Sequence, residues 1–386
     1  MNPLYLDYNA TTPLAPEVVD AMLPYLREHF GNPSSNHVYG WEALGAVGDA
    51  RAQVASLLGC QPEELIFTSG GTESNNHAIR GVVEAQRERG NQVITCQIEH
   101  PAVLNTCKYL ERHGCEVTYL PVDRYGLVDP EAVREAVTDR TVLITLMHAN
   151  NEVGTIEPIA EIGALARERG IVCHTDAAQS VGKLATRVDD LNVDLLTIAG
   201  HKLYAPKGIG ALYIREGTQV AKFIHGAGHE SGRRAGTENV PYMVALGKAC
   251  ELAAAWLAQE HPGVEQLRDV LRERLEADPG GVHLNGHPQR RLPNTLNVSF
   301  EGIDSHTLIS QLAGVAVSAG SACHEGLSEP SPVLTAMGVV RELALGAVRF
   351  SLGRSTTRLE IEAAAREVAE AVGQLRAAGK EAPTTT

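Results

Sequence analysis

The chain lacks several things, and each absence narrows what it can be. It has no surplus of positive charge: 33 Lys and Arg stand against 47 Asp and Glu, a formal net charge of −14. Phosphate binding needs a basic surface, so direct nucleic-acid binding is not expected, and the short runs Arg233-Arg234 and Arg290-Arg291 do not reverse the balance. No apolar window approaches the length of a bilayer span, and the start, MNPLYLDYNATTPLAP, has neither the basic start nor the apolar core of a signal peptide. A cytoplasmic location with no membrane contact is the expectation. The seven cysteines are odd in number and include no CxxC pair of the zinc or redox kind, so no metal site is expected and a reducing compartment fits. Cys60, Cys96, Cys107, Cys115, Cys173 and Cys250 lie in or beside regular patterns and read as small buried hydrophobes. Cys323 does not. Internal repeats and low-complexity stretches are missing too.

What is present is an ordinary globular composition, 44% hydrophobic over 386 residues, enough for a large core and two unequal domains. Apolar runs at Leu65–Thr68, Val93–Gln97, Val142–Met147, Ile171–Thr175, Leu195–Ile198 and Ala211–Ile214 read as buried strands. Helical patterns at Glu73–Arg89, Ala102–His113, Pro130–Val137 and Ile159–Arg169 lie between them. That alternation predicts an α/β fold with a mainly parallel sheet, and ligands then sit at the carboxyl ends of the strands. From about Val240 the character changes: helices at Tyr242–Gln259, Val264–Ala277 and Arg358–Ala378, and one short strand at Thr295–Phe300. The expected division is a large α/β domain, residues 14–260, and a smaller α+β domain, residues 1–13 with 261–386.

Several residues carry chemistry at strand ends. Ser69-Gly70-Gly71-Thr72 closes one strand and opens a helix, where free N–H groups and the helix dipole would hold a phosphate. A plain glycine turn capping a helix would look the same. Asp176 ends a buried run, where a carboxylate is costly unless it meets a cation or caps the next segment. Lys202, in TIAGHKLYAPKG, stands where the chain leaves another strand, a placement that eases loss of its proton and suits Schiff-base chemistry. Phosphate cradle, buried aspartate and strand-end lysine are the three things pyridoxal phosphate needs. His100 follows a strand and could stack on the ring and exchange protons at the substrate as a catalytic group, although a loop histidine reads the same way; Asn151 sits in a turn from which it could reach the cofactor's O3' or a substrate carboxylate. Cys323 lies in SAGSACHEG, a stretch of about 318–332 with little to bury, and reads as a candidate nucleophile on a mobile loop. Arg349 interrupts an apolar strand, as a clamp on a carboxylate or as half of a salt bridge.

Taken together, YLDYNATTPL, GNPSS, FTSGGTESNN, EHPAV, ANNEVGTIEPI, HTDAAQSVGK, GHKLYAPKGIGALYI, GRRAGTEN, LPNTLNVSF, SAGSAC and VRFSLGRSTT resemble, in order, the cysteine desulfurases of the NifS/IscS type. The resemblance implies an aspartate-aminotransferase-like fold (fold type I) with a seven-stranded sheet, and a homodimer holding pyridoxal 5'-phosphate near its interface. It implies that Lys202 carries the cofactor, that Asp176 pairs with its ring nitrogen and Gln179 with its O3', and that His100 stacks on the ring. Gly71, Thr72 and His201 would hold the phosphate, joined by Thr237 of the second subunit; Asn151 and Arg349 would bind the substrate carboxylate. Lys202 would move the Cα proton of L-cysteine, and Cys323 would take the sulfur as a persulfide, leaving L-alanine. Three positions depart from the pattern: Ala199 for a phosphate-binding serine, Ala205 for a glycine and Ser231 for an arginine. None touches the reacting atoms. A selenocysteine lyase is the nearest rival, and an ordinary aminotransferase or a sulfur-relay scaffold without chemistry stand further off. The sulfur-acceptor protein is not readable: iron–sulfur scaffolds, tRNA thiolation and sulfur-modified DNA all draw on such enzymes.

Overall fold

The structure is a computed structural model that describes the backbone of residues 3–259, 263–319, 321–324 and 327–381, with side chains over the same stretches except 321–328 and 379–381. The chain enters through a short strand, β1 (Leu4–Tyr5), and two helices, α1 (Pro16–Arg27) and α2 (Val38–Leu58). Seven strands follow: β2 (Leu65–Thr68), β3 (Gln92–Cys96), β4 (Glu116–Leu120), β5 (Thr141–Met147), β6 (Val172–Asp176), β7 (Leu195–Ala199) and β8 (Gly210–Ile214). They form one sheet ordered β2-β8-β7-β6-β5-β3-β4, in which β8 alone runs against its neighbours. The crossovers carry α3 (Gly71–Ala85), α4 (Pro101–Glu111), α5 (Pro130–Ala136) and α6 (Ile159–Glu168). The expected mainly parallel seven-stranded sheet is therefore present. β2, β3, β5, β6, β7 and β8 are buried at every position, which is why they read as unbroken apolar runs. β4 escaped that reading because it is an edge strand, exposed at Glu116 and buried only at Leu120.

Helix α7 (Val240–Leu257) meets the length and apolarity of a bilayer span, with mean hydropathy 1.2, against the expectation that no segment would. Its apolar surface is spent on protein: Val240, Met243, Ala245, Leu246, Ala249, Cys250 and Ala253 are buried in one cluster with Ala43, Val47, Ala50 and Val54 of α2. Gly247 lets the two helices approach closely, since a Cβ there would stand 2.6 Å from the Ala50 Cα.

A second core lies beyond α8 (Gly263–Ala277), in an antiparallel sheet ordered β12-β15-β10-β9. Its strands are β9 (Val282–Asn285), β10 (Thr295–Phe300), β12 (Ser318–Ala319) and β15 (Ala347–Ser351), while β11 (Val315–Ala316) pairs in parallel with β1. Leu296, Val298, Phe300, Val348 and Phe350 pack there against Leu271 and Leu275 of α8, Val368 and Val372 of the closing helix Arg358–Glu381, and Leu6. The stretch after β14 (Leu327–Pro330) crosses back: Val333, Leu334 and Met337 join the first core.

Candidate active site

Parallel strands release the chain at one edge of the sheet, and the residues singled out in the sequence gather there. Asp176 is the last residue of β6, and Lys202 closes a single helical turn, Gly200–Lys202, directly after β7. Gly71 opens α3 after β2, and His100 precedes α4 after β3. With Arg349 of β15 they line a cavity of about 290 Å³, together with Asn9, Ala10, Thr72, Asn75, Asn151, Gln179, Ala199 and His201. That is the lower end of the size range of ligand cavities. A larger depression of about 760 Å³ lies before the amino ends of β3, β4 and β5, lined by Arg80, Arg87, Arg89 and Arg140 among others, and holds none of these residues. Thr237 is exposed and does not line the cavity of its own chain.

Asp176 is almost fully buried, and each of its oxygens already accepts one hydrogen bond: Oδ2 from Asn75 Nδ2 at 2.6 Å, Oδ1 from the Ala178 N–H at 3.0 Å. The bond to Ala178 caps a turn rather than a helix, and it does not exclude a cationic partner, because a carboxylate has lone pairs for further donors. Lys202 Nζ donates to the carbonyls of Asn9 at 2.5 Å and Ala10 at 2.7 Å. Burial, and then the nearby Arg349, bring its pKa down to about 8 against the pull of Asp7 and Asp176, so a neutral amine is accessible near neutral pH. His201 Nδ1 meets Thr11 Oγ1 at 3.2 Å, and burial, with Lys202 and Lys207, brings its pKa down to about 4. His100 Nδ1 accepts from the Ala102 N–H at 3.1 Å, which puts the proton of the neutral ring on Nε2; burial lowers its pKa as well.

At the other end of the cavity α3 begins without a side-chain cap, so its first N–H groups stay free for an anion. Gly70 has φ +144°, a conformation other residues rarely adopt, and a Cβ on Gly71 would stand 3.2 Å from the Ala199 Cβ. Arg349 donates from Nη2 to Asp7 Oδ1 at 2.7 Å and from Nη1 to the Asn151 carbonyl at 2.9 Å. The salt bridge foreseen as its alternative exists, yet its Nε is buried without a partner among the described residues, as is Asn75 Oδ1. Two orphaned polar atoms on the cavity wall, an uncapped helix start and a glycine cradle fit a polar, phosphate-bearing ligand.

The thiol of Cys323 lies outside the described side chains, but its backbone does not. β13 (Ser321–His324) pairs with β14 in an antiparallel hairpin, where the sequence suggested a mobile loop. Before it, Ser318 pairs with Arg349; after it, Ser331 Oγ donates to Glu152 Oε2 at 2.5 Å, next to Asn151. One end of the cysteine segment is therefore pinned at Arg349 and the other at Glu152, the neighbour of Asn151.

Sequence reasoning missed Asn9, Asn75 and Asp7. Asn75 lies one helical turn after Gly71, a spacing that could have flagged it. Asn9 and Asp7 come from the N-terminal segment, and nothing local marks them.

The fold and the pocket are those of a pyridoxal-phosphate-dependent enzyme of fold type I. Residues 4–364 match the family described as aminotransferase class-V. A cysteine desulfurase IscS of Methanosarcina thermophila is 50% identical over 375 residues, 97% of this chain and 93% of that protein. A solved NifS-like protein superposes with a TM-score of 0.91 at 38% identity, covering 96% of this chain and 100% of the other. The solved complex of SspA with cysteine superposes with a TM-score of 0.81 at 41% identity, covering 90% and 98%. The chain belongs to the class-V aminotransferase family and, within it, to the cysteine desulfurases.

Proposed function

We propose that the protein transfers sulfur from L-cysteine to Cys323 and releases L-alanine, as a homodimer whose persulfide is passed to an acceptor protein. The observation that carries this reading is the convergence of Asp176, Lys202, the α3 start and Arg349 on one cavity, with the Cys323 hairpin tethered at its rim. Pyridoxal 5'-phosphate, when bound, supplies an aldehyde for an amine and a ring that accepts electrons from Cα. Gly71, Thr72 and His201 would hold its phosphate, Asp176 its ring nitrogen, Gln179 its phenolic oxygen and His100 one ring face. A methyl at Ala199 withholds one hydroxyl from the phosphate end.

Arg349 and Asn151, which both line the cavity, orient the substrate carboxylate. Lys202, its basicity lowered by burial, moves the proton at the substrate Cα. The Cys323 thiolate attacks the substrate sulfur: a sulfur–sulfur bond forms and the substrate Cβ–S bond breaks. Its electron pair stays with the carbon fragment, which takes up protons and leaves as alanine. In sum, cysteine and the Cys323 thiol become alanine and a Cys323 persulfide.

The homodimer is supported by Thr237, exposed in its own chain, and by a group of exposed apolar side chains on α1, α2 and their connection. Incubating the protein with L-cysteine tests the reaction. Alanine should form in proportion to persulfide, and Cys323→Ala should abolish both. Full sulfur transfer by the variant would favour an ordinary aminotransferase, and turnover of selenocysteine alone would favour the lyase.

A further inference from the structure

Asn9 is where the polar groups of the pocket meet. Its carbonyl accepts from Gln179 Nε2 at 3.0 Å as well as from Lys202 Nζ. Its Oδ1 accepts from Lys183 Nζ at 3.2 Å and from Asn294 Nδ2 at 3.1 Å, while its Nδ2 donates to Thr295 Oγ1 at 2.8 Å. Lys183 also donates to Gln179 Oε1 at 2.9 Å, closing a ring of Lys183, Gln179 and Asn9.

Lys183 is oddly placed for an ammonium group. The residue is half-buried, yet its amine reaches two amide oxygens rather than a carboxylate, and the charges acting on it, Lys202, Arg349 and Arg354, are all cations. Burial, with those cations, holds its pKa well below the ordinary lysine value. Such a placement costs stability, and a stem of the same length without the charge would pack as well.

What Lys183 does for Gln179 follows from donor and acceptor counting. An amide looks nearly symmetric, and only its partners decide which end is which. Lysine has donors and no acceptor while protonated, and the Asn9 carbonyl only accepts. Turning the Gln179 amide over would set its oxygen against the Asn9 carbonyl, two acceptors face to face, and its NH2 against the Lys183 amine, which is repulsive as well whenever that amine carries its proton. In the observed orientation one Nε2 hydrogen goes to Asn9, and the second meets no acceptor among the described residues.

We propose that Lys183 is a positioning residue, which fixes the Gln179 amide so that the phenolic oxygen of the cofactor meets a donor and never an acceptor. This inference rests on the cofactor reading above.

The test uses the cofactor-loaded protein without substrate and reads the pH midpoint of the visible absorbance of the bound cofactor. A donor withdrawn from the phenolic oxygen leaves more negative charge beside the Lys202 nitrogen, which then keeps its proton to higher pH. Lys183→Met should raise the midpoint by about one pH unit, with Lys183→Leu as the second apolar replacement should the first not fold. Lys183→Arg, which keeps the donors, should restore it most of the way. In a Gln179→Leu background Lys183→Met should add nothing, because the effect runs through the amide. Additive shifts, or an unmoved midpoint in folded Lys183→Met and Lys183→Leu, would overturn the proposal. A wild-type protein without the visible band would sink the cofactor reading and this inference together, an outcome distinct from an unmoved midpoint.

Discussion

Glu99, the neighbour of His100, is a buried carboxyl group that no cation among the described residues pairs with. Its Oε1 accepts from the Met147 N–H at 2.7 Å and from the Cys96 thiol at 3.2 Å, while its Oε2 has no partner. Burial pushes its pKa up from 4.5 to about 8, against the Met147 hydrogen bond. The sign of the consequence can be worked out. Below the ordinary carboxyl value, folded and unfolded chains both hold the proton. Between 4.5 and about 8 the folded chain keeps it and the unfolded chain releases it, so this group makes stability fall as pH rises. The slope is about 1.4 kcal/mol per pH unit across that window. Glu99→Gln copies the protonated acid without titrating. Urea unfolding at several pH values should find the variant equal to wild type at the acid end and progressively more stable toward pH 8. Parallel curves would mean that Glu99 is ionised in the folded protein.

Among the elements, the strand that runs against the others supports the phosphate turn most directly. Gly210 begins β8 beside Gly70; a Cβ there would stand 2.5 Å from the Ile198 carbonyl oxygen and 2.7 Å from the Gly70 Cα. Both are backbone atoms, so the added methyl can be relieved only by moving β7 or the turn that starts α3. Gly210→Ala should cost about 1–3 kcal/mol in unfolding free energy and weaken cofactor retention, read by dialysis against buffer and residual absorbance. A destabilised variant that held the cofactor as firmly as wild type would show that β8 does not set the turn.

The same strands explain what the sequence could and could not tell. Asp176, Lys202, Gly71 and His100 were legible because each stands where a fully buried strand ends, and burial wrote those strands as apolar runs. β4 was hidden by its half-exposed edge, and α2 by the many small residues, Ala43, Ala46 and Ala50 among them, that face α7. The parts of the site that escaped notice reach it over long chain distances. Asn9 meets Gln179 170 residues away and Asn294 285 residues away, so its role exists only in the folded chain. No local spacing encodes such a contact.

At the scale of the whole molecule, the proposed homodimer has a candidate seam in an exposed apolar face. Phe30 is 79% exposed and Trp41 59%, and Phe30 stacks on the exposed Tyr39 with ring centres 5.6 Å apart. Val38, Trp41 and Leu44 recur every three residues along α2 and so share its outer face. A polar chain of net charge −14 has little reason to leave such a surface to water, and a self-complementary contact about a two-fold axis covers it twice. Replacing Phe30 and Trp41 by Glu should yield monomers in sedimentation velocity. The sharper test concerns Thr237, which the proposed homodimer would put in the partner's site. Alone, Lys202→Ala removes the base from every site, and Thr237→Ala removes one phosphate donor from every site. In a mixed dimer, the site built on the Thr237→Ala chain has its own Lys202 and takes an intact Thr237 from the Lys202→Ala chain. Random reassembly of equal amounts should therefore make about a quarter of all sites whole, since half the dimers are mixed and each carries one repaired site. Alanine formation at limiting cofactor should rise above the average of the two parents on mixing. If instead each chain supplied its own Thr237, no combination would repair a site, and the mixture would stay at that average.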